Sequence, residues 1–150
     1  MSNSTVQTFV ARFMPLMEQN AVRLRKDYPD IDIRAWSSST GGGTDYQGWD
    51  VGIECILPKG HPCEFDNIAL TLGIKHITTA PTICEAEVLW NTDRGGEWCE
   101  ASVIEQPVPF SEETLNRLQQ NVPRLIEALK TGLDRKMPRT SKSTVRLRRP

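Results

Sequence analysis

The sequence has no long apolar run of the kind that crosses a membrane, and its N-terminal residues lack the pattern of a secretory signal. No stretch approaches the ~20 consecutive apolar residues that a membrane-spanning helix needs. Near the N-terminus, the apolar stretch from Phe9 to Met17 is broken by Arg12 and Pro15, so we expect no secretory signal. The four cysteines are then expected to be reduced thiols in the cytoplasm rather than two disulfides.

The glycine-rich stretch from residue 38 to residue 49, SSTGGGTDYQGW, lacks what a phosphate-binding loop needs. Gly43 and Gly48 have the spacing of that loop, but Trp49 and Asp50 stand where it has Lys and Ser or Thr. The stretch also joins two predicted strands, whereas a phosphate loop leads from a strand into a helix N-terminus. We therefore expect a long hairpin loop that binds no nucleotide.

Residue sets for metal binding or nucleophilic catalysis are also missing. The chain has two histidines and no Cys-x-x-Cys pair of the kind found in structural zinc sites. His61 and Cys63 are close in sequence, but a Cys–His nucleophile also needs a third, orienting group. Cys55, Cys84 and Cys99 fall on apolar rows of predicted strands, where cysteine acts as a small hydrophobe. The sequence predicts no catalytic residue, metal site or cofactor.

Charge is distributed unevenly along the chain, although the net charge is only −1. Residues 135–150 contain seven basic residues and no acidic one. The remaining eleven basic residues and all nineteen acidic ones lie before residue 135, which gives that part a charge of −8. We expect a single domain over residues 1–136 and a basic, flexible tail over residues 137–150.

The basic tail has three interpretations. It is solvated and flexible, it contacts nucleic acid or an acidic partner, or it folds back onto the acidic body. The absence of an aromatic residue that could stack on bases weakens the nucleic-acid hypothesis. The candidate contact residues are Arg139, Lys142, Arg146, Arg148 and Arg149.

Two segments have the spacing of amphipathic helices, one at each end of the body. Apolar residues recur at intervals of three and four from about residue 5 to residue 26, and again from about residue 112 to residue 136. Ser111 is a suitable N-cap for the second helix because its hydroxyl can accept from an unpaired backbone N–H.

Five segments between these helices alternate apolar and polar residues as strands do. In the fourth and fifth, a loop at Arg94-Gly95 would pair Trp90 with Cys99, Val88 with Ala101 and Ala86 with Val103. The predicted fold class is α+β: a two-layer sandwich with an antiparallel meander of about five strands, and both helices on its apolar face.

The polar face of this sheet combines acidic residues with exposed apolar ones. Alternation assigns Glu54, Glu85, Glu87 and Glu100 to this face, together with Ile56, Trp98 and Ile104. Aromatic and apolar side chains surrounded by polar ones are typical of the centre of a protein interface. These seven residues are the predicted protein-binding surface.

Three classes of function follow. The first is a small acidic protein-binding or adaptor module, inhibitor- or immunity-type or chaperone-like, with a protein partner or a second copy of the chain. The second is a small-ligand-binding protein or enzyme with a cavity between helices and sheet. The third is association with nucleic acid through the tail. The lack of a catalytic residue set favours the first.

Overall fold

The computed structural model describes residues 3–40, 48–60, 63–76, 80–138 and 145–147, with side chains for all of these except residues 3, 76 and 145–147. The elements follow in the order α1 (Asn3–Asp27), β1 (Asp32–Ser39), β2 (Gly48–Ile56), β3 (Asn67–His76), β4 (Pro81–Asn91), β5 (Gly96–Ser102), β6 (Val108–Pro109), α2 (Glu112–Arg135) and β7 (Val145–Leu147).

The strands form one antiparallel sheet in the order β1-β2-β3-β4-β5-β7. Strands β1 to β5 are neighbours in both sequence and space, which confirms the predicted meander. Strand β6 pairs with the first residues of β4, through Thr82 and Ile83, and β5 pairs with its last ones. These two short strands, β6 and β7, were absent from the sequence prediction.

Both helices lie on one face of the sheet, as predicted. Helix α1 contacts β1 and β2, and helix α2 contacts β3, β4 and β5. Their apolar stripes and the inward rows of the strands form the hydrophobic core. Its largest fully buried side chains are Trp90, Phe9, Phe13, Met17, Leu24, Ile53, Ile68, Leu70, Leu72, Ile74, Ile83 and Leu115. Within the described part of the chain, neither helix is long and apolar enough to cross a membrane.

Local side-chain chemistry determines where α2 begins and ends. Ser111 is its N-cap: the hydroxyl accepts from the backbone N–H of Thr114 at 3.2 Å, and the Thr114 hydroxyl oxygen accepts from the Ser111 N–H. This confirms the predicted cap. At the other end, Lys136 adopts a left-handed conformation with φ of 64°, and its N–H donates to the Gly132 carbonyl.

A β-bulge in β5 changes the register predicted for the β4–β5 hairpin. Val88 pairs with Ala101 as predicted, but Leu89 pairs with Cys99 and Trp90 with Trp98. Glu100 is therefore the extra residue, and the pairing of Trp90 with Cys99 was wrong. A bulge reverses the alternation beyond it, so Trp98 and Glu100 do not lie on the face that simple alternation assigned to them.

Glu100 instead points toward the helix layer. Its side chain is 1% exposed, and its Oε1 accepts a hydrogen bond from Trp90 Nε1 at 2.9 Å. The same oxygen accepts from Nη2 of Arg135, in the last turn of α2. One buried carboxylate therefore joins two strands and the C-terminal end of α2.

Gly132 allows α2 to approach the sheet closely at this point. A Cβ on Gly132 would lie 2.5 Å from Cδ1 of Ile68 and 3.2 Å from Cζ2 of Trp90. A glycine inside a helix costs about 0.5–1 kcal/mol relative to alanine. Here, the missing side chain gives the helix room above Trp90 and Ile68.

The basic tail returns to the sheet in part. Val145–Leu147 pairs with Trp98, Glu97 and Gly96 of β5, and this pairing places Arg146 opposite Glu97. The open edge of β5 offers the backbone groups for this pairing, and the flexibility expected of residues 137–150 stays a prediction. The other predicted contacts, Arg139, Lys142, Arg148 and Arg149, lie outside the described residues.

We predict that Glu100→Ala lowers the free energy of unfolding by about 2–4 kcal/mol. The substitution leaves the buried Trp90 N–H without its acceptor, which costs ~1–3 kcal/mol, and removes the partner of Arg135. The control is Glu105→Ala, an exposed position where a change within about 0.5 kcal/mol is expected. Urea denaturation measures both, and equal stability of the two variants would contradict the buried role of Glu100.

Candidate protein-binding face

The outer face is the side of the sheet turned away from α1 and α2. Residues that pair directly across strands share a face, so the register defines its members. Among the residues of β1 to β5 they are Asp32, Arg34, Trp36, Ser38, Asp50, Gly52, Glu54, Ile56, Asn67, Ala69, Thr71, Gly73, Lys75, Thr82, Glu85, Glu87, Leu89, Asn91, Glu97, Cys99 and Ser102.

Four of the predicted surface residues lie on this face. Glu54 and Ile56 come from β2, and Glu85 and Glu87 come from β4; all four are partly exposed. Simple alternation of apolar and polar residues predicted the face of these four residues correctly. No bulge interrupts β2, and the bulge of β4 precedes Glu85.

The other three, Trp98, Glu100 and Ile104, are not on the outer face. Trp98 pairs directly with buried Trp90 and so shares the helix side, where its Nε1 is buried without a hydrogen-bond partner. Glu100 is the bulge residue. Ile104 follows the end of β5 and packs against the hydrophobic core, so strand alternation does not apply to it.

Trp36 is the main aromatic residue of the outer face. It pairs with Gly52, and a Cβ on Gly52 would lie 3.0 and 3.1 Å from Cζ2 and Cε2 of the Trp36 ring. The indole therefore lies across the glycine, and the residue remains partly exposed. A large aromatic surface that lies against the sheet is well placed to anchor a partner.

The sequence prediction missed Trp36 because the first strand was ended at Ala35. The signal was present: Asp32, Arg34 and Trp36 are two residues apart and share a face opposite Ile33. Extending the alternation by one residue would have placed Trp36 on the outer face. The serines that follow are weak strand formers and obscured the end of the strand.

Acidic residues dominate the charge of the outer face. Among the outer-face residues of β1 to β5, the bases are Arg34 and Lys75, and Arg34 already donates to Asp32, with Nη2 to Oδ2 at 2.6 Å. This hydrogen bond is the main cause that raises the pKa of Arg34, and the charge of Glu54 adds to it. The acids are Asp32, Asp50, Glu54, Glu85, Glu87 and Glu97.

The four cysteines are free thiols, each in a different setting. Cys55 is buried in the core, and burial raises its pKa to about 12. Cys84 is the extra residue of a second bulge, so it is not on the apolar row where alternation placed it; burial raises its pKa to about 12. Cys99 lies on the outer face, and Cys63 is partly buried with a raised pKa. The raised pKa values keep Cys55, Cys63 and Cys84 protonated and poorly nucleophilic at neutral pH.

Metal ligands do not cluster in the part of the chain that the structure describes. No group of three or more His, Cys, Asp or Glu side chains there could hold an ion. Asp93 and Asp66 form an exposed pair, in which the hydrogen bond to Asp66 raises the pKa of Asp93. His61 and the glycine stretch from residue 41 to residue 47 lie outside the described residues.

A groove of about 530 Å³ lies between the two helices. Its lining comes from α1 and α2 rather than from the sheet, with Leu24, Val122 and Ile126 among the apolar residues and Arg23 and Lys130 among the charged ones. It is therefore not the cavity between helices and sheet that the ligand-binding hypothesis requires.

Polar contacts tie the helices together at both ends of this groove. Arg12 donates to Asn116 Oδ1 at 2.6 Å and pairs with Glu112. At the other end the Tyr28 hydroxyl donates to Asp134 Oδ1 at 2.5 Å, and burial together with this bond raises the pKa of Tyr28. The spacing between the helices is thus set by contacts within the chain.

Comparison with known protein families, curated proteins and solved structures found no match for this chain.

We predict that Gly52→Ala is more destabilising than Gly73→Ala. A Cβ at residue 52 would lie 2.2 Å from the carbonyl oxygen of Leu70. That oxygen belongs to the backbone of the neighbouring strand and cannot move aside, so we expect the free energy of unfolding to fall by about 1–3 kcal/mol. At residue 73 the nearest atom is Oδ1 of Asp50, at 2.3 Å, and that side chain can swing away. Both glycines lie on the outer face, so thermal unfolding of the pair is a matched comparison. A Gly52 variant as stable as the wild type would contradict the close approach of the Leu70 carbonyl to residue 52.

Proposed function

We propose that the chain is a small acidic protein-binding module whose outer face binds a basic segment of a protein partner. The observation that carries the proposal is the Trp36 indole lying across Gly52 on a face rich in carboxylates. This revises the predicted surface: Glu54, Ile56, Glu85 and Glu87 remain, Trp36 replaces Trp98, and Glu100 and Ile104 are no longer included.

The chemistry of this surface favours cationic side chains. An Arg or Lys placed over an indole gains about 0.5–1 kcal/mol at exposed sites and ~2 kcal/mol when desolvated. Glu54 and Asp50 lie in the rows on either side of Trp36 and Gly52, Glu87 continues the same row on β4, and these carboxylates can pair with further cations. The excess of acids also steers a basic partner toward this face.

Several features support a binding module over an enzyme. Cys55, Cys63 and Cys84 have raised pKa values, and the described side chains form no metal cluster. Helix stripes and strand rows meet in one continuous core cluster. Free cysteines also fit the cytoplasmic location proposed for the protein.

Small-ligand binding is the second candidate, and the groove between the helices favours it. Its volume of about 530 Å³ falls within the ~300–1,000 Å³ of ligand sites. The apolar floor and charged rim could bind an amphipathic molecule. Nucleic-acid association through the tail has less support, because Val145–Leu147 belongs to the sheet.

We predict that Trp36→Ala weakens binding of a fluorescein-labelled Arg-Ser repeat peptide by about 3- to 30-fold, the equivalent of one cation–π contact. Trp36→Phe keeps an aromatic surface and should bind with intermediate affinity. Trp49→Phe is the control, since Trp49 lies on the helix side and donates from Nε1 to Ser37. Fluorescence anisotropy measures all four proteins. Wild-type protein that does not bind the basic peptide, or binds a Glu-Ser peptide equally, would refute the proposal.

A further inference from the structure

Strand β1 is an outer strand of the sheet, and its free side presents backbone groups at alternate residues. Thr40 donates from its N–H to the Gly48 carbonyl at 3.2 Å, which continues the β1–β2 register. In an antiparallel pair, hydrogen-bonded and non-hydrogen-bonded positions alternate. Residues 34, 36 and 38 therefore bond to β2, and the N–H and C=O of Ala35, Ser37 and Ser39 point away from the sheet.

A side chain from α1 limits this free edge at one end. Arg25 donates from Nε to the Ile33 carbonyl oxygen at 2.8 Å and so covers the first outward group. Within the described residues, no hydrogen bond reaches the outward backbone groups of Ala35, Ser37 and Ser39. The open segment is thus Ala35–Ser39, about 17 Å of strand at ~3.4 Å per residue.

This segment lacks the features that usually protect an edge strand. Ala35–Ser39 contains no proline, no charged residue and no bulge. Native proteins generally block such edges, because an open edge pairs with any available strand. The side chains beside the outward backbone groups, those of Ala35, Ser37 and Ser39, are small and would not obstruct a second strand.

A stripe of α1 lies along the same side of the molecule. The contact between Arg25 and Ile33 shows which side of α1 faces the edge. Val22, Glu18 and Met14 precede Arg25 by three, seven and eleven residues and so share that side. Val22 is 49% exposed, which is rare for a large aliphatic residue in this chain, and Met14 is partly exposed.

We propose that β1 pairs with β1 of a second copy of this chain, antiparallel and related by a two-fold axis at Ser37. Ser37 then faces Ser37 of the partner subunit, and Ala35 and Ser39 exchange backbone hydrogen bonds with their counterparts. This register uses all three open residues and leaves the Arg25 contact with Ile33 intact. The two sheets join into one continuous sheet.

A second copy fits this site better than an unrelated strand for two reasons. The segment is self-complementary, as a two-fold interface requires. In addition, stable interfaces bury about 1,200–2,000 Å², which a strand pair of 17 Å is too short to supply alone. The same axis brings the two α1 stripes side by side, so that Val22 and Met14 add apolar area; a single foreign strand would leave them exposed.

Ser37→Pro tests the pairing selectively. The substitution removes an N–H that points away from the sheet, and proline is tolerated on the solvent side of an edge strand. Sedimentation equilibrium of the wild type should give a dimer, and Ser37→Pro should raise its dissociation constant at least about 100-fold, with the circular dichroism spectrum preserved. Because the proline variant also loses the hydroxyl that accepts from Trp49 Nε1, the matched control is Ser37→Ala, which lacks that hydroxyl but keeps the N–H and should remain dimeric.

Val22→Glu is the second variant, in case proline disturbs β1. It changes an exposed helix residue and should raise the dissociation constant about 10-fold while the fold is retained. A wild type that is monomeric at all concentrations would overturn the proposal, as would a dimer that both Ser37→Pro and Val22→Glu leave unchanged. A failure of the outer face to bind basic peptide would not affect these measurements.

Discussion

The buried carboxylate of Glu100 is the interaction on which the arrangement of this fold depends. A carboxylate removed this far from water needs hydrogen-bond donors, because leaving a buried charge unpaired costs several kcal/mol. Two donors from different elements meet that demand, Trp90 of β4 and Arg135 of α2. The bulge in β5 turns Glu100 inward, and Gly132 allows the helix to come close enough for Arg135 to reach it.

This interaction also determines which residues remain for function. With Glu100 and Trp98 turned to the helix side, the outer face keeps Trp36 on its edge strand β1 and the carboxylates of β2 and β4 on the strands beside it. The proposed peptide-binding face and the proposed dimer edge are different parts of one sheet. A two-fold pair through β1 would place the two outer faces side by side, and a bivalent partner could then bind both with increased avidity.

Alternation and helical spacing predicted the helices, five of the strands, the meander order and the Ser111 cap, because each depends on a local pattern that repeats along the sequence. The two bulges could not be predicted in this way, since the apolar and polar residues continue to alternate through Cys84 and Glu100. Their position follows from contacts with residues far away in sequence, such as Arg135. The position of Trp36 could have been predicted from the alternation, but the predicted first strand ended one residue before it, at Ala35. The short strands β6 and β7 contain too few residues to show the alternation of apolar and polar side chains that marks a strand in the sequence.

The most direct test is the exchange of the indole N–H protons with solvent, followed by NMR in the wild type and in Glu100→Gln. If Glu100 accepts from Trp90 inside the molecule, the Trp90 indole proton exchanges slowly and its resonance shifts in the variant, whereas that of Trp36 on the opposite face keeps its position. If instead the Trp90 proton exchanges freely and its resonance does not respond to the substitution, Glu100 does not lie under α2 and the assignment of the two faces is wrong.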